Sequence, residues 1–267
     1  MKTILYWIIA IIITLSAAVY QRLTGPTHPK RESFEHAEIM YKIKFPRSHE
    51  STGNCPVVLK VDNKEIRGKI KYKKFPSNDE WTHIEFEHKE GKMVAELPVQ
   101  PPAGKLLYQV ELKDKNNNVL LNSGDVVIRY KGAVPDWVLI PHIFFMFFAM
   151  LLSTLAGLLA LGKKSSFKLY TKLTLLLLLI GGMILGPVVQ KYAFGELWTG
   201  VPFGWDLTDN KTLIGFVAWI VAVAANWKRE RPVYSIIAAI LLLIIYSVPH
   251  SMFGSELDYS SGVIGQG

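Results

Sequence analysis

The chain has 267 residues, half of them hydrophobic, and a formal charge of +8 at neutral pH. That charge is carried largely as lysines interspersed with glutamates, with no basic-aromatic motif, which excludes a nucleic-acid-binding module. The single cysteine, Cys55, excludes an internal disulfide and reads as a small buried apolar filler.

The apolar residues are gathered into blocks. Residues 4–20 (ILYWIIAIIITLSAAVY) are apolar apart from one Thr and one Ser. Lys2 before this block and the small residues at its end fit a cleaved signal peptide or a retained anchor, and we take 1–22 as that segment. Four further blocks follow, at 137–161, 169–189, 212–226 and 233–248. Each approaches the ~20 residues that cross a ~30 Å hydrocarbon layer. The block at 212–226 is long enough only if its helix starts near Asp209.

The stretch between the first block and the rest has a different texture. Short alternating runs, among them MYKIKF (40–45), GKIKYKKF (68–75), THIEFEH (82–88), LLYQVEL (106–112) and DVVIRY (125–130), are separated by turn signals such as DNKE, KEGK and DKNNN. Such spacing predicts seven or eight antiparallel strands, each with one apolar face. The expected fold is therefore an integral membrane bundle of five transmembrane helices. An extracytoplasmic all-β sandwich of the immunoglobulin or fibronectin kind, residues 30–132, is inserted between the first and second helices. His83, Glu85 and Glu87 share one face of a predicted strand, where a solvated surface is the expectation rather than a metal site.

Lys and Arg in short loops hold those loops on the cytoplasmic side. GKKSSFK (162–168) and NWKRERP (226–232) are the basic connections, whereas 190–211 and the tail 251–267 are acidic or neutral. This pattern predicts a bacterial inner (cytoplasmic) membrane protein whose β domain, 190–211 loop and tail face the periplasm, with the helices at 136–250.

The helical part holds two histidines, His142 near the outer end of the second helix and His250 at the outer end of the fifth. Between them lies the loop GELWTGVPFGWDLTDNKT (195–212). Ionisable groups at membrane depth point to function, and two at matched depth around an aromatic loop suggest a shared site. Pro141 suits the first turn of its helix, and Thr208 or Asp209 is placed to cap the next one. Three glycines permit close backbone approach, and Lys191 and Lys211 are placed to pair with carboxylates. Together these features suit a flat, apolar, dianionic ligand with two open metal positions, such as non-covalently bound haem b with axial histidines. No CxxCH sequence exists for covalent attachment.

The run WTGVPFGWD followed by LTDNKTLI resembles the tryptophan-rich loop of the haem-handling membrane proteins of cytochrome c biogenesis, over about residues 137–255. The resemblance implies a periplasmic haem site with Trp198 and Trp205, joined by Asp206, as an aromatic platform, Asp209 at the acidic position and His142 and His250 as ligands. Phe203 stands where a family Trp is expected, Leu207 replaces a Pro and Thr208 a Lys. The expected function is haem handling or electron transfer without catalysis. The alternative is a tethered receptor or scaffold whose β domain binds another envelope protein. The membrane lipid is the other partner. Helices two to five carry no evident internal charge and no inverted repeat, which disfavours a transporter.

Overall fold

The computed structural model describes residues 2–249, 252 and 254–266. Two compact units share the chain: one of residues up to Pro26 with Val134–Gly254, the other of Thr27–Ala133 with Ser255–Gly265.

The first unit is helical. It contains α1 (Lys2–Thr24), α2 (Asp136–Leu161), α3 (Phe167–Leu178), α4 (Gly186–Phe194), α5 (Leu207–Ala225) and α6 (Pro232–Ser247). A π-helical turn, Leu179–Leu185, joins α3 to α4, so that Phe167–Phe194 forms one continuous apolar rod. Small residues let the helices approach closely. Ala149, Ala156, Ala222, Ala238 and Ala239 share one buried cluster with Leu178, Leu242 and the fully buried Trp219. Ala10 of α1 packs into a second cluster with Leu151, Leu155, Leu159 and Phe167, and Trp7 meets Tyr170 edge to face at 5.8 Å. The Gln21 amide donates to the Tyr246 carbonyl at 2.8 Å, tying the end of α1 to the end of α6.

Among the described residues, four helices rather than the expected five are long and apolar enough to cross a membrane: Thr3–Thr24, Asp136–Leu161, Phe167–Phe194 and Leu207–Ala225. The helix α6 has only 16 residues, about 24 Å at ~1.5 Å per residue, short of a ~30 Å core. Prolines bound it on both sides. Pro232 opens it, and Pro249 forces Val248 into an extended conformation (φ −76°, ψ 117°). The helix α5 gains its length by starting at Leu207, capped by Asp206 rather than by Thr208 or Asp209. Pro141 lies inside α2, because that helix already begins at Asp136.

The second unit is β-rich. Its strands are β1 (Lys30–His36), β2 (Ile39–Phe45), β3 (Ser48–Glu50), β4 (Cys55–Leu59), β5 (Arg67–Lys74), β6 (Thr82–Glu85), β7 (Glu87–Lys89), β8 (Lys92–Leu97), β9 (Lys105–Lys113), β10 (Val119–Asn122) and β11 (Val126–Lys131). The expected single sandwich is not what forms. The strands divide among a β1–β2 hairpin, a three-stranded sheet β4-β8-β7 and a six-stranded sheet in the order β3-β11-β9-β5-β6, with β10 also on β9. One pair, β3 with β11, is parallel.

The run THIEFEH is divided between two sheets. Thr82–Glu85 pairs with β5, while Glu87–Lys89 pairs with β8. Phe86 turns into the core between them, its N–H donating to the Gly68 carbonyl at 2.9 Å. His83, Glu85 and Glu87 therefore do not lie on one strand, and no metal-binding group is found among the described residues. One apolar core, with Phe45, Val57, Leu59, Ile70, Met93 and Tyr108 at its centre, serves all the sheets.

The C-terminal hairpin β12 (Ser255–Leu257) and β13 (Ile264–Gln266) completes this unit. Leu257 N–H donates to the Ala103 carbonyl, the Arg129 guanidinium to the Ser255 carbonyl, and Lys105 pairs with Glu256. The Tyr259 hydroxyl accepts from the Lys105 N–H at 3.0 Å and lies 3.0 Å from the Gln100 amide oxygen.

Candidate functional site

His142 lies on the second turn of α2, and its ring meets the π-helical turn. Nδ1 is 2.9 Å from the Gly181 carbonyl oxygen. A carbonyl can only accept, so Nδ1 carries the proton, and in the neutral ring Nε2 carries the lone pair. The turn exists where Gly181 and Gly182 follow each other in an apolar helix. A π turn offsets the backbone bonds by one residue, and the Gly186 N–H also donates to Gly181. A methyl on Gly181 would stand 2.8 Å from Phe145 Cβ, and one on Gly182 would stand 2.9 Å from Thr212 Cγ2. The two glycines thus seat the turn directly against α2 and the start of α5.

One end of this region is marked by Trp137 and Tyr192, edge to face at 6.5 Å. There α4 ends at Gly195, whose φ of +92° is the left-handed cap that glycine adopts most readily. Lys191 donates to the Gly195 carbonyl. Residues 196–206 then fold back onto α5.

The loop's aspartates turn inward. Asp206 caps α5, its carboxylate accepting from the N–H groups of Thr208 (2.8 Å) and Asp209 (3.3 Å). The carboxylate of Asp209 accepts from Thr199 N–H at 2.6 Å and Gly200 N–H at 3.1 Å. The Asn210 side-chain oxygen accepts from Val201 N–H at 2.7 Å. Gln190 donates to the Thr199 hydroxyl at 2.6 Å, so α4, the loop and α5 form one hydrogen-bonded unit. A side chain on Gly200 would strike Asp209 Cβ at 2.7 Å.

The aromatics face the other way. Phe203 is 82 % exposed and Trp205 74 %. Trp198 is half-buried, and its indole N–H donates to the Val201 carbonyl at 3.1 Å. Lys211 is buried, and its ammonium donates to the Val248 carbonyl at 2.9 Å. It lines a cavity of about 20 Å³ with Gln21, Met146, Thr212 and Tyr246, room for about one water and not for a porphyrin.

The bundle does bury charge, since Asp206, Asp209 and Lys211 are 4–7 % exposed at the start of α5. His250, the second expected ligand, lies outside the described residues. The structure brings His142, the Gly181–Gly182 turn and the first turns of α5 together, while Phe203 and Trp205 form an outward rim. Sequence reasoning missed the Gly181 carbonyl, Gln190, Thr199 and Asn210. The signal for the first was the Gly-Gly doublet followed by Gly186-Pro187, which reads equally as simple helix packing. No protein-family model matches this chain, and comparisons with curated proteins and with solved structures give no significant match.

Proposed function

We propose that the helical unit binds haem b non-covalently, that His142 and His250 would hold it, and that it would serve haem handling or one-electron transfer. One observation carries this reading: the Gly181 carbonyl holds the His142 ring through Nδ1 and leaves the lone pair on Nε2, the arrangement that fixes tautomer and orientation in metal-ligating histidines. Phe203, Trp205 and Trp198 would offer apolar surface to the porphyrin edge, and Lys191, whose exposed ammonium keeps donors beyond its bond to the Gly195 carbonyl, would meet a propionate. Asp206, Asp209 and Lys211 would shape the loop rather than touch the ligand, because their side chains are spent on backbone groups. Bound haem supplies a ferric–ferrous couple, and the chain's own residues hold it and limit water at its edge.

On the rule that basic loops stay inside, we take the 162–168 and 226–232 turns to face the cytoplasm of a bacterial cell, with the β-rich unit and the 195–206 loop outside. The test is the pyridine haemochrome and the reduced-minus-oxidised spectrum of purified full-length protein supplied with haem. We expect a Soret band that is lost in His142→Ala and in His250→Ala. A haem-supplied wild type without that band, or variants that keep it unchanged, overturns the proposal.

A second reading is a tethered receptor for an acidic envelope protein. Exposed Ile39 and Met40 at the β1–β2 hairpin border a groove of about 570 Å³ with Lys42, Lys60 and Lys92. In that reading Ile39→Ser with Met40→Ser abolishes function, while His142→Ala is silent.

A further inference from the structure

The turn between α5 and α6 is held more firmly than a surface connection requires. Asn226, 3 % exposed, uses both ends of its amide. Nδ2 donates to the Ala222 carbonyl at 2.9 Å and lies 3.4 Å from the Ser235 hydroxyl, while Oδ1 accepts from the Arg231 N–H at 2.6 Å. Ser235 is fixed in turn by Thr171 at 3.0 Å. The clamp presents the intervening residues in one arrangement. Trp227 stands 66 % exposed, with the Lys172 ammonium 5.2 Å from its ring centroid. Lys228, Arg229 and Arg231 project around it, against Glu230 as the one acid of the turn.

Beside this cationic rim runs an open groove of about 680 Å³, whose apolar floor is Leu175 of α3 with Ile220, Val223 and Ala224 of α5. Both helices belong to segments long and apolar enough to cross a membrane, which would set the floor against acyl chains and the rim at headgroup depth. A plain topology signal needs cations only. This turn adds an indole and a slot of matching polarity. Guanidinium groups bind phosphate oxygens two at a time, and basic pockets between membrane helices accept anionic headgroups.

We infer that this groove is a binding site for one anionic phospholipid, its phosphate held by Arg229, Arg231 and Lys228 and one acyl chain laid along Leu175, Ile220 and Ala224. Trp227 marks the boundary between the two halves.

The test is native mass spectrometry of the full-length protein in detergent, titrated with phosphatidylglycerol or phosphatidylcholine. One phosphatidylglycerol is expected to be retained at least tenfold more tightly than phosphatidylcholine. Two variants probe the two halves separately. The triple substitution Lys228→Gln, Arg229→Gln, Arg231→Gln keeps the Arg231 backbone bond to Asn226 and removes the preference. Ala224→Phe fills the groove without changing charge and weakens retention of both lipids. Lys163→Gln with Lys164→Gln, in the other basic turn, leaves binding unchanged. Equal retention of the two lipids, equal loss in the Lys163/Lys164 variant, or displacement by millimolar inorganic phosphate alone overturns the assignment. Melting temperatures of all variants, measured in parallel, separate loss of the site from loss of the fold.

Discussion

Asp209 shows what a carboxylate does when it is buried at the start of a membrane helix. Its acceptor oxygens are matched to the Thr199 and Gly200 N–H groups, which would otherwise be orphaned in a protein interior, where an unmade bond to a charged group costs ~1.5–3 kcal/mol. Asp209→Ala should therefore destabilise the helical unit by about 2 kcal/mol. Asp206→Ala, which loses only a helix cap, should cost ~1 kcal/mol. Thermal melts in detergent, with limited proteolysis of the 195–206 loop, check both. Haem content per folded molecule should be unchanged in Asp206→Ala. The sequence identified these aspartates as a cluster but not their direction, because residue types do not say whether a carboxylate faces a ligand or its own loop. Cys55 makes a cleaner case. Composition marks it as apolar filler, and it is 2 % exposed among Val57, Tyr108 and Tyr130. Burial pushes its thiol from an ordinary 9.0 up to about 11. The folded value lies above the unfolded one, so the neutral thiol's contribution is intact below about pH 9 and is lost as pH rises towards 11. A thiol reagent at pH 8 should leave the native protein unlabelled and react fully after denaturation.

At the scale of elements, the helices depend on small residues that cannot grow. Gly157 on α2 is the sharpest case: a methyl there would sit 2.7 Å from Ala239 Cβ on α6. Gly157→Ala should cost ~1–3 kcal/mol through overpacking, and the double substitution Gly157→Ala with Ala239→Gly should recover most of it. Additivity in that cycle, read from melting temperatures in detergent, would show that α2 and α6 are not packed through this contact. The apolar blocks made the long helices legible, since composition alone sets them apart. Their ends were less so: α5 reaches back through a polar turn to Leu207, two residues before the Asp209 start that its length required, and α6 stops at 16 residues between two prolines. Strands followed the same logic. Regular alternation in 40–45, 68–75 and 106–112 marked β2, β5 and β9. The transfer of THIEFEH from one sheet to another was hidden, because Phe86 keeps the alternation while the hydrogen-bond partners change on either side of it. The strand β1 escaped notice, since Lys30–His36 has one buried residue, Phe34, and otherwise reads as polar linker.

For the whole molecule, the chain's return to the β-rich unit after α6 has a measurable consequence. Residues 255–259 supply an edge contact at Ala103, the Lys105–Glu256 pair and the Tyr259 hydroxyl, which burial pushes up to about 12. Each of the two side-chain interactions is worth ~1 kcal/mol. At ~4–8 °C per kcal/mol for a unit of this size, Tyr259→Phe should lower its melting temperature by roughly 5 °C, and removal of residues 255–267 by roughly 10 °C or more. Hydrogen exchange on the full chain tells where the loss falls. Faster exchange is expected at the amide of Lys105, which donates to the Tyr259 hydroxyl, while α2 and α5 keep their protection. The contact should also withstand acid. Donors on Ser260 and Ser261 hold the Asp258 carboxyl down from an ordinary 3.8 to about 2. A lowered folded value means that its contribution is fully present above about pH 4 and disappears only as pH falls through about 2. An exchange rate at Lys105 that is equal in full-length and truncated protein at pH 7 would show that the C-terminal segment adds nothing to the β-rich unit. Rates in the full-length protein that rise already at pH 5 would show that Asp258 is not held by its serines.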